Sequence, residues 1–342
     1  MAVRRAIVAV CVAIAACAPV GKHTEPALLT FAGAATFPTG FQFGSTTVGG
    51  LSGISYDPDR QVYYVITDDK SGARFYTMRI ALAGNDTHAD FVGASPLQNV
   101  TGRADPEDIA FDRQRQQLYW SSEGDQPWIR IAGLDGSYRG EFALPPTLAP
   151  RFNAGLEGLT VTPSGTSLWA AMEHPGTEDG QPPTDSAGAL TRITRFDLAS
   201  RSAVAQYAYP LDPIAAPPGD ATGLTALVAV DEDTFLTVER SHGTSNVARV
   251  YRAEVGGAGD VLEQKSLLDV ASPPMSKTLM ADLSTTAGVP ALDNLEGITL
   301  GPPLPDGRRS VVLVSDNNFN PRQVTQILVL GMADSPRSAP GS

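Results

Sequence analysis

Glu107-Asp108-Ile109-Ala110-Phe111, then the turn Asp112-Arg113-Gln114-Arg115, then Leu118-Tyr119-Trp120-Ser121-Ser122-Glu123, is the stretch whose reading decides the fold. Ile109 and Phe111 alternate with Ala110, the period of a strand, and the polar turn leads into a second apolar run. A hairpin returns its end to the edge where it began. Glu107 and Glu123, sixteen residues apart, are therefore expected side by side at one end of one hairpin.

The unit recurs. Glu157 and Glu173 keep the spacing of sixteen, and so do Ser52 and Asp68, with serine in the first slot. Two looser copies follow, Thr225 to Glu239 over fourteen residues and Glu296 to Asp316 over twenty, the excess lying in the turn 302–307. A third apolar strand comes after each hairpin, at 74–79, 128–131, 192–196, 249–252 and 326–329. Self-similarity at roughly 50 to 70 residues marks a propeller or related array. The expectation is an all-β chain forming a single β-propeller of six blades, with five as the alternative count. The sixth blade would come from 28–43 and from strands within 261–283, the termini closing the ring. Hairpins stood around an axis gather their acids on one face, near the central channel.

The chain has 342 residues, 33 Gly, 27 Pro and a formal net charge of −12. Many turns and no long helical period fit an all-β domain. No basic run offers phosphate neutralisation, so nucleic acid is excluded as a partner. Arg4, Arg5 and the apolar stretch 6–13 read as an export signal, too short to span a bilayer. Ile14-Ala15-Ala16-Cys17 resembles a bacterial lipobox, with Cys17 as the lipidated residue. The expected organisation is a signal peptide at 1–16, a tether at 17–27, the propeller at 28–331 and a Ser/Pro/Gly-rich tail at 332–342. The implied location is the periplasm, the outer membrane or the cell surface, reached as a monomer through the lipid on Cys17 alone.

The candidate acids on the common face are Asp68, Glu107, Glu123, Glu157, Glu173, Glu239, Glu296 and Asp316. So many carboxylates together must hold cations, pair with arginines or take up protons. Hard oxygen donors at irregular geometry favour Ca²⁺. Arg240 and Lys277, with Arg103, Asn317 and Arg322, are candidates to hold the oxygens of a phosphate. A structural alternative is that strand-end acids accept amide hydrogen bonds from the next blade. No G-x-S-x-G elbow is present, and Ser52 occupies a repeat slot that elsewhere holds Glu. His174 and His242 lie beside the acids and are candidate bases.

Gly49-Gly50-Leu51-Ser52-Gly53, Asn153-Ala154-Gly155-Leu156-Glu157-Gly158-Leu159, Leu168-Trp169-Ala170-Ala171-Met172-Glu173, Val238-Glu239-Arg240-Ser241, Asp293-Asn294-Leu295-Glu296-Gly297-Ile298 and Leu313-Val314-Ser315-Asp316-Asn317-Asn318-Phe319 resemble the phytase-like family, whose description is esterase-like activity of phytase. The resemblance runs from about Leu28 to Leu330 and implies an exported β-propeller that hydrolyses esters or phosphoesters. The leading expectation is Ca²⁺-dependent hydrolysis of a small phosphoester. Glu157, Glu173, Glu239 and Glu296 would hold the ion and Arg240 would stabilise phosphate charge. One alternative is a non-catalytic envelope lipoprotein that binds a ligand or partner. The other is a metal-dependent lactonase or carboxylester hydrolase.

Overall fold

The computed structural model describes residues 28–333 apart from 84–85, 101–102, 124–126, 216–218 and 244. The expected signal peptide, Cys17, the tether and nearly all of the expected tail lie outside the described residues. The chain opens with β1 (Leu29–Pro38) and a two-residue pair, β2 (Gln42–Phe43) with β3 (Thr46–Thr47). Blade one is β4 (Leu51–Asp57), β5 (Val62–Thr67), β6 (Arg74–Ala83) and β7 (Asp86–Pro96). Blade two is β8 (Pro106–Asp112), β9 (Gln117–Ser122), β10 (Trp128–Gly133) and β11 (Tyr138–Glu141). Blade three is β12 (Leu156–Val161), β13 (Ser167–Met172), β14 (Ala189–Asp197) and β15 (Ser202–Leu211). Blade four is β16 (Gly219–Ala229), β17 (Thr234–Gly243), β18 (Val247–Glu254) and β19 (Ser276–Asp282). Blade five is β20 (Asn294–Pro303), β21 (Arg309–Asp316) and β22 (Val324–Met332), completed by β1 antiparallel to β22.

The inner strands close a ring: β4 packs on β8, β8 on β12, β12 on β16, β16 on β20, and β20 on β4. The propeller therefore has five blades, not six. The segments assigned to a sixth are outer strands. β1 is the fourth strand of blade five, and β19, within 261–283, is the fourth strand of blade four.

A propeller sheet is covered on both faces, so its middle strands are apolar throughout instead of alternating. β5 is buried at every position. Its alternate residues serve two cores. Tyr63 and Val65 pack with Val312, Val314 and Ile327 of blade five, while Tyr64 and Ile66 pack with Ile109, Phe111 and Trp120 of blade two. The same division fills the gap between every neighbouring pair of blades.

The inner strands approach closely just inside the acidic face. A Cβ on Gly297 would lie 3.1 Å from the Gly53 Cα, and one on Gly53 would lie 2.6 Å from the Asp108 Cα. Backbone meets backbone there, so only glycine fits. Asp108, 1% exposed, fills the same layer in blade two and accepts amide hydrogen bonds from Ile109 (2.7 Å) and Leu159 (2.6 Å). It laces β8 to β12, and this narrow layer floors the site above it.

Candidate functional site: an acidic hub with one arginine

Every inner strand carries a β-bulge at the same place. The register shifts between Leu51 and Gly53, Pro106 and Ile109, Leu156 and Gly158, Leu224 and Ala226, and Leu295 and Gly297. A bulge leaves a residue out of the ladder and re-aims its side chain. The residues concerned are Ser52, Glu107, Glu157, Thr225 and Glu296, the first slots of the sequence repeat. Hydroxyls fill the slots of blades one and four. Ser52 Oγ donates to the Pro106 carbonyl at 3.0 Å, and Thr225 Oγ1 donates to the Leu295 carbonyl at 3.2 Å. Each ties its strand to the next blade, and this bond is the role the geometry gives Ser52.

The second slots pair with the residue two before the first. Asp68, Glu123 and Glu173 donate their amides to Gly50, Asp105 and Gly155 at 2.7, 3.0 and 2.8 Å, and Asp316 pairs with Asn294. In blade four the pairing is Gly223 with Arg240. Arg240, not Glu239, occupies the second slot. Its Nη2 lies 3.6 Å from Glu173 Oε1 and 3.5 Å from Glu296 Oε1, and its Nη1 donates to Asn294.

Glu239 is directed elsewhere. It accepts hydrogen bonds from Tyr209 Oη (2.8 Å), the Asp212 amide (2.9 Å) and Lys277. Lys277 also holds Asp212 at 2.8 Å and lies 4.3 Å from the centroid of the Tyr251 ring. Glu239 and Lys277 therefore neutralise each other at the blade-four rim. The structure brings neither to the hub, which corrects the placement expected for both. Asn317 is fully buried and accepts amide hydrogen bonds from Gly50 (3.2 Å) and Phe319 (3.0 Å), a turn-fixing role. Arg103 is exposed in the loop before β8, and Arg322 is exposed beside a cleft described below.

The hub is electrostatically costly. Burial, then Glu157, Glu123 and Glu296, push the Glu107 carboxyl well above its usual range. Burial and Glu173 do the same to Glu157, with Arg240 opposing. Glu296 is raised by burial and Asp316, again against Arg240. Burial raises Asp68 to about 8, helped by Asp316 and Asp105. Glu123 rises to about 7 by burial although the Gly155 amide, 2.8 Å away, favours its anion. Asp316 rises to about 6 by burial.

These residues fit a cation. Glu107 and Glu157 are each 7% exposed, and neither carboxylate accepts a hydrogen bond from any described residue. Asp68 Oδ1 is likewise buried without a partner among the described residues. A buried unpaired carboxylate must bind a cation or take a proton. Oxygens of Asp105, Glu107 and Glu123 lie within 4.8 Å of one another, a spacing that can hold a metal ion. Asp105 was not legible as a site residue, because it lies before β8 outside the repeat slots. Its partner Lys70 was missed for the same reason.

A cleft of about 910 Å³ opens from the hub between blades four and five, lined among others by Arg240, Glu296, His242, Asn294, Asn318 and Arg322. Asn318 and Phe319 at its edge hold left-handed backbone angles, φ 48° and 50°, a conformation uncommon for a non-glycine residue and concentrated at binding sites.

Five blades around a carboxylate hub that can hold a metal ion define a β-propeller with a candidate cation site on its axis. The chain belongs to the phytase-like family, described as esterase-like activity of phytase, whose match covers residues 46–319. No curated protein sequence matches it. Among solved structures it is similar to the endo-arabinase from Bacteroides thetaiotaomicron, at 14% identity and TM-score 0.47 over 88% of this chain and 98% of that one. It is also similar to the RRP9 WD40 repeats, at 9% identity and TM-score 0.42 over 88% and 99% of the two chains.

Proposed function

We propose that the protein is an exported hydrolase of small phosphate esters whose hub binds Ca²⁺. The observation that carries this reading is the convergence of Glu107, Glu157 and Glu296 from three inner strands, two of them buried with no hydrogen-bond donor among the described residues. Carboxylate oxygens with no thiolate suit a hard cation that tolerates irregular coordination. Asp105, Glu107 and Glu123, whose oxygens lie within 4.8 Å of one another, would hold it together with Glu157, and Glu296, Asp68 and Asp316 would border it. A bound cation of this kind lowers the pKa of water and offsets charge on a phosphoryl group.

The chain's own groups supply the rest. Arg240 is tied to Asn294 through Nη1, while its Nη2 lies 3.5 and 3.6 Å from two carboxylates and its buried Nε has no partner among the described residues. The Nη2 and Nε donors of its planar fork would serve a phosphate at the cleft mouth. Glu173 keeps that guanidinium at the hub edge. The glycine layer beneath the hub confines access to the cleft side.

The test pairs binding with turnover. EDTA-treated protein is titrated with Ca²⁺ while the melting temperature is followed, since a ligand of the folded state alone stabilises by RT ln(1 + [L]/Kd), about 2.7 kcal/mol at a hundredfold excess over Kd. p-Nitrophenyl phosphate, p-nitrophenyl acetate and a simple lactone are then offered with and without Ca²⁺. Saturable stabilisation and Ca²⁺-dependent release of phosphate support the reading. Turnover of acetate or lactone alone moves it to a carboxylester hydrolase. Absence of both stabilisation and turnover leaves the ligand-binding lipoprotein. The export proposal is tested separately: Cys17→Ser should shift the protein from the membrane to the soluble fraction of cells.

A further inference from the structure

The proposed phosphoesterase reading leaves open what protonates the alcohol that departs. The cleft between blades four and five narrows the choice. Five of its lining residues carry ionisable side chains: Arg240, Arg322, Asp293, Glu296 and His242. A guanidinium does not release a proton in a protein. The Asp293 carboxylate is consumed by the fold, accepting from the amides of Asn294 (2.9 Å) and Val324 (2.7 Å) and from Gln323 Nε2 (3.0 Å). Glu296 is held in the hub, 3.5 Å from Arg240 Nη2 and accepting from Asn294 Nδ2 at 2.7 Å. His242 remains. It stands two residues beyond Arg240 on β17, so strand alternation places both side chains on one face, and both line the cleft. Its imidazole is exposed, with no hydrogen bond or ion pair to a described residue.

We infer that His242 is the general acid of the reaction, serving esters of weakly acidic alcohols, and that the cleft holds the alcohol portion of the substrate. The new bond joins the oxygen of the attacking water to phosphorus. The bond that breaks joins phosphorus to the ester oxygen, which takes the proton from His242. The imidazole is reprotonated by the proton the water gave up. Ester and water thus become alcohol and phosphate with no other reactant.

The reaction itself supplies a readout that a structural role would not move. Protonation matters for an alkoxide and little for a nitrophenolate, which departs unaided. Wild type and His242→Gln are compared, with Ca²⁺ present, on glycerol phosphate and on p-nitrophenyl phosphate. His242→Gln should lower kcat for the alkyl ester by about 10²-fold or more and leave the aryl ester within about threefold. Free imidazole should restore part of the alkyl activity to His242→Ala. Equal losses on both esters, or none on either, overturn the role of His242 and leave the hydrolase reading standing. Wild type inactive on both esters sinks the hydrolase reading and this inference with it.

Discussion

Glu157 shows what the hub demands of a single side chain. Its carboxyl is buried, pushed well above the usual range, and accepts no hydrogen bond from a described residue. Removing its charge should therefore relieve the metal-free protein and harm the metal-bound one. Glu157→Gln is expected to raise the melting temperature in EDTA and to weaken Ca²⁺ binding at least tenfold, which calorimetry and a melting titration measure together. Glu239→Gln is the contrasting case. It removes the charge beside Lys277, which keeps Asp212 at 2.8 Å, so a loss of about 1–3 kcal/mol is expected from the broken buried hydrogen bonds, and Ca²⁺ affinity should stay unchanged. The two residues looked alike in the sequence because both are acids at the end of an apolar run. Blade four reaches its second slot fifteen residues after Thr225, at Arg240, instead of sixteen. A shift of one residue turns a strand side chain to the other face, so the acid nearest the expected spacing points away from the hub. The titration of the hub carries its own sign. Asp68 is raised to about 8 and Glu123 to about 7, both above their unfolded values. A carboxyl raised on folding binds more protons folded than unfolded, so its stabilising contribution is present at low pH and lost as pH rises. The melting temperature of metal-free protein should fall between about pH 5 and pH 8.5, and saturating Ca²⁺ should remove most of that fall. A rise across that window would mean the carboxylates are held ionised by the fold alone.

At the scale of the strand, the bulge and the glycine layer do the positioning. Five bulges at one level turn five side chains out of the ladder, and Gly53, Gly158 and Gly297 let the strands close beneath them. Gly53→Ala places a methyl 2.2 Å from Asp108 Oδ1 and 2.6 Å from its Cα. The obstacle includes backbone, which cannot swing aside. A loss of about 1–3 kcal/mol is expected in urea unfolding, along with weaker Ca²⁺ binding, because the strain falls where β4 meets β8. A neutral result would show that the hub does not depend on this close approach. The hairpins and third strands were legible because their apolar runs are long and bounded by turn residues. The outer strands were not. β11 has four residues, all but Gly140 exposed, and β19 is exposed or half-buried over its first four. An edge strand buries too little to leave a hydrophobic period. That is why outer strands passed for an additional blade.

The whole molecule is a ring closed by one strand, and this gives the two ends of the chain a defined place. Leu29 and Arg309 both pair with Met332, whereas Asp316 pairs with Asn294 at the far end of the same blade. Both ends of the described chain therefore leave on the face opposite the acidic hub. An anchor at Cys17 would hold that opposite face to the membrane and point the hub and its cleft toward the solvent. Closure itself rests on β1, which pairs with β22 from Leu29 to Pro38 and contributes Leu29 to the core shared with blade four and Ala32, Ala35 and Phe37 to the core shared with blade one. A chain that begins at Thr39 would leave β22 as a bare edge and uncover apolar surface on both sides. Such an edge pairs readily with another chain. Deletion of residues 1–38 should abolish the single cooperative unfolding transition or yield dimers by size-exclusion chromatography, while a chain that begins at Ala18 stays monomeric and binds Ca²⁺. Adding the strand back as a separate peptide should restore the monomer and its Ca²⁺ response. If the shortened chain remains a cooperative monomer with unchanged Ca²⁺ affinity, four antiparallel strands are not needed in every blade, and the hub is held by the inner ring alone.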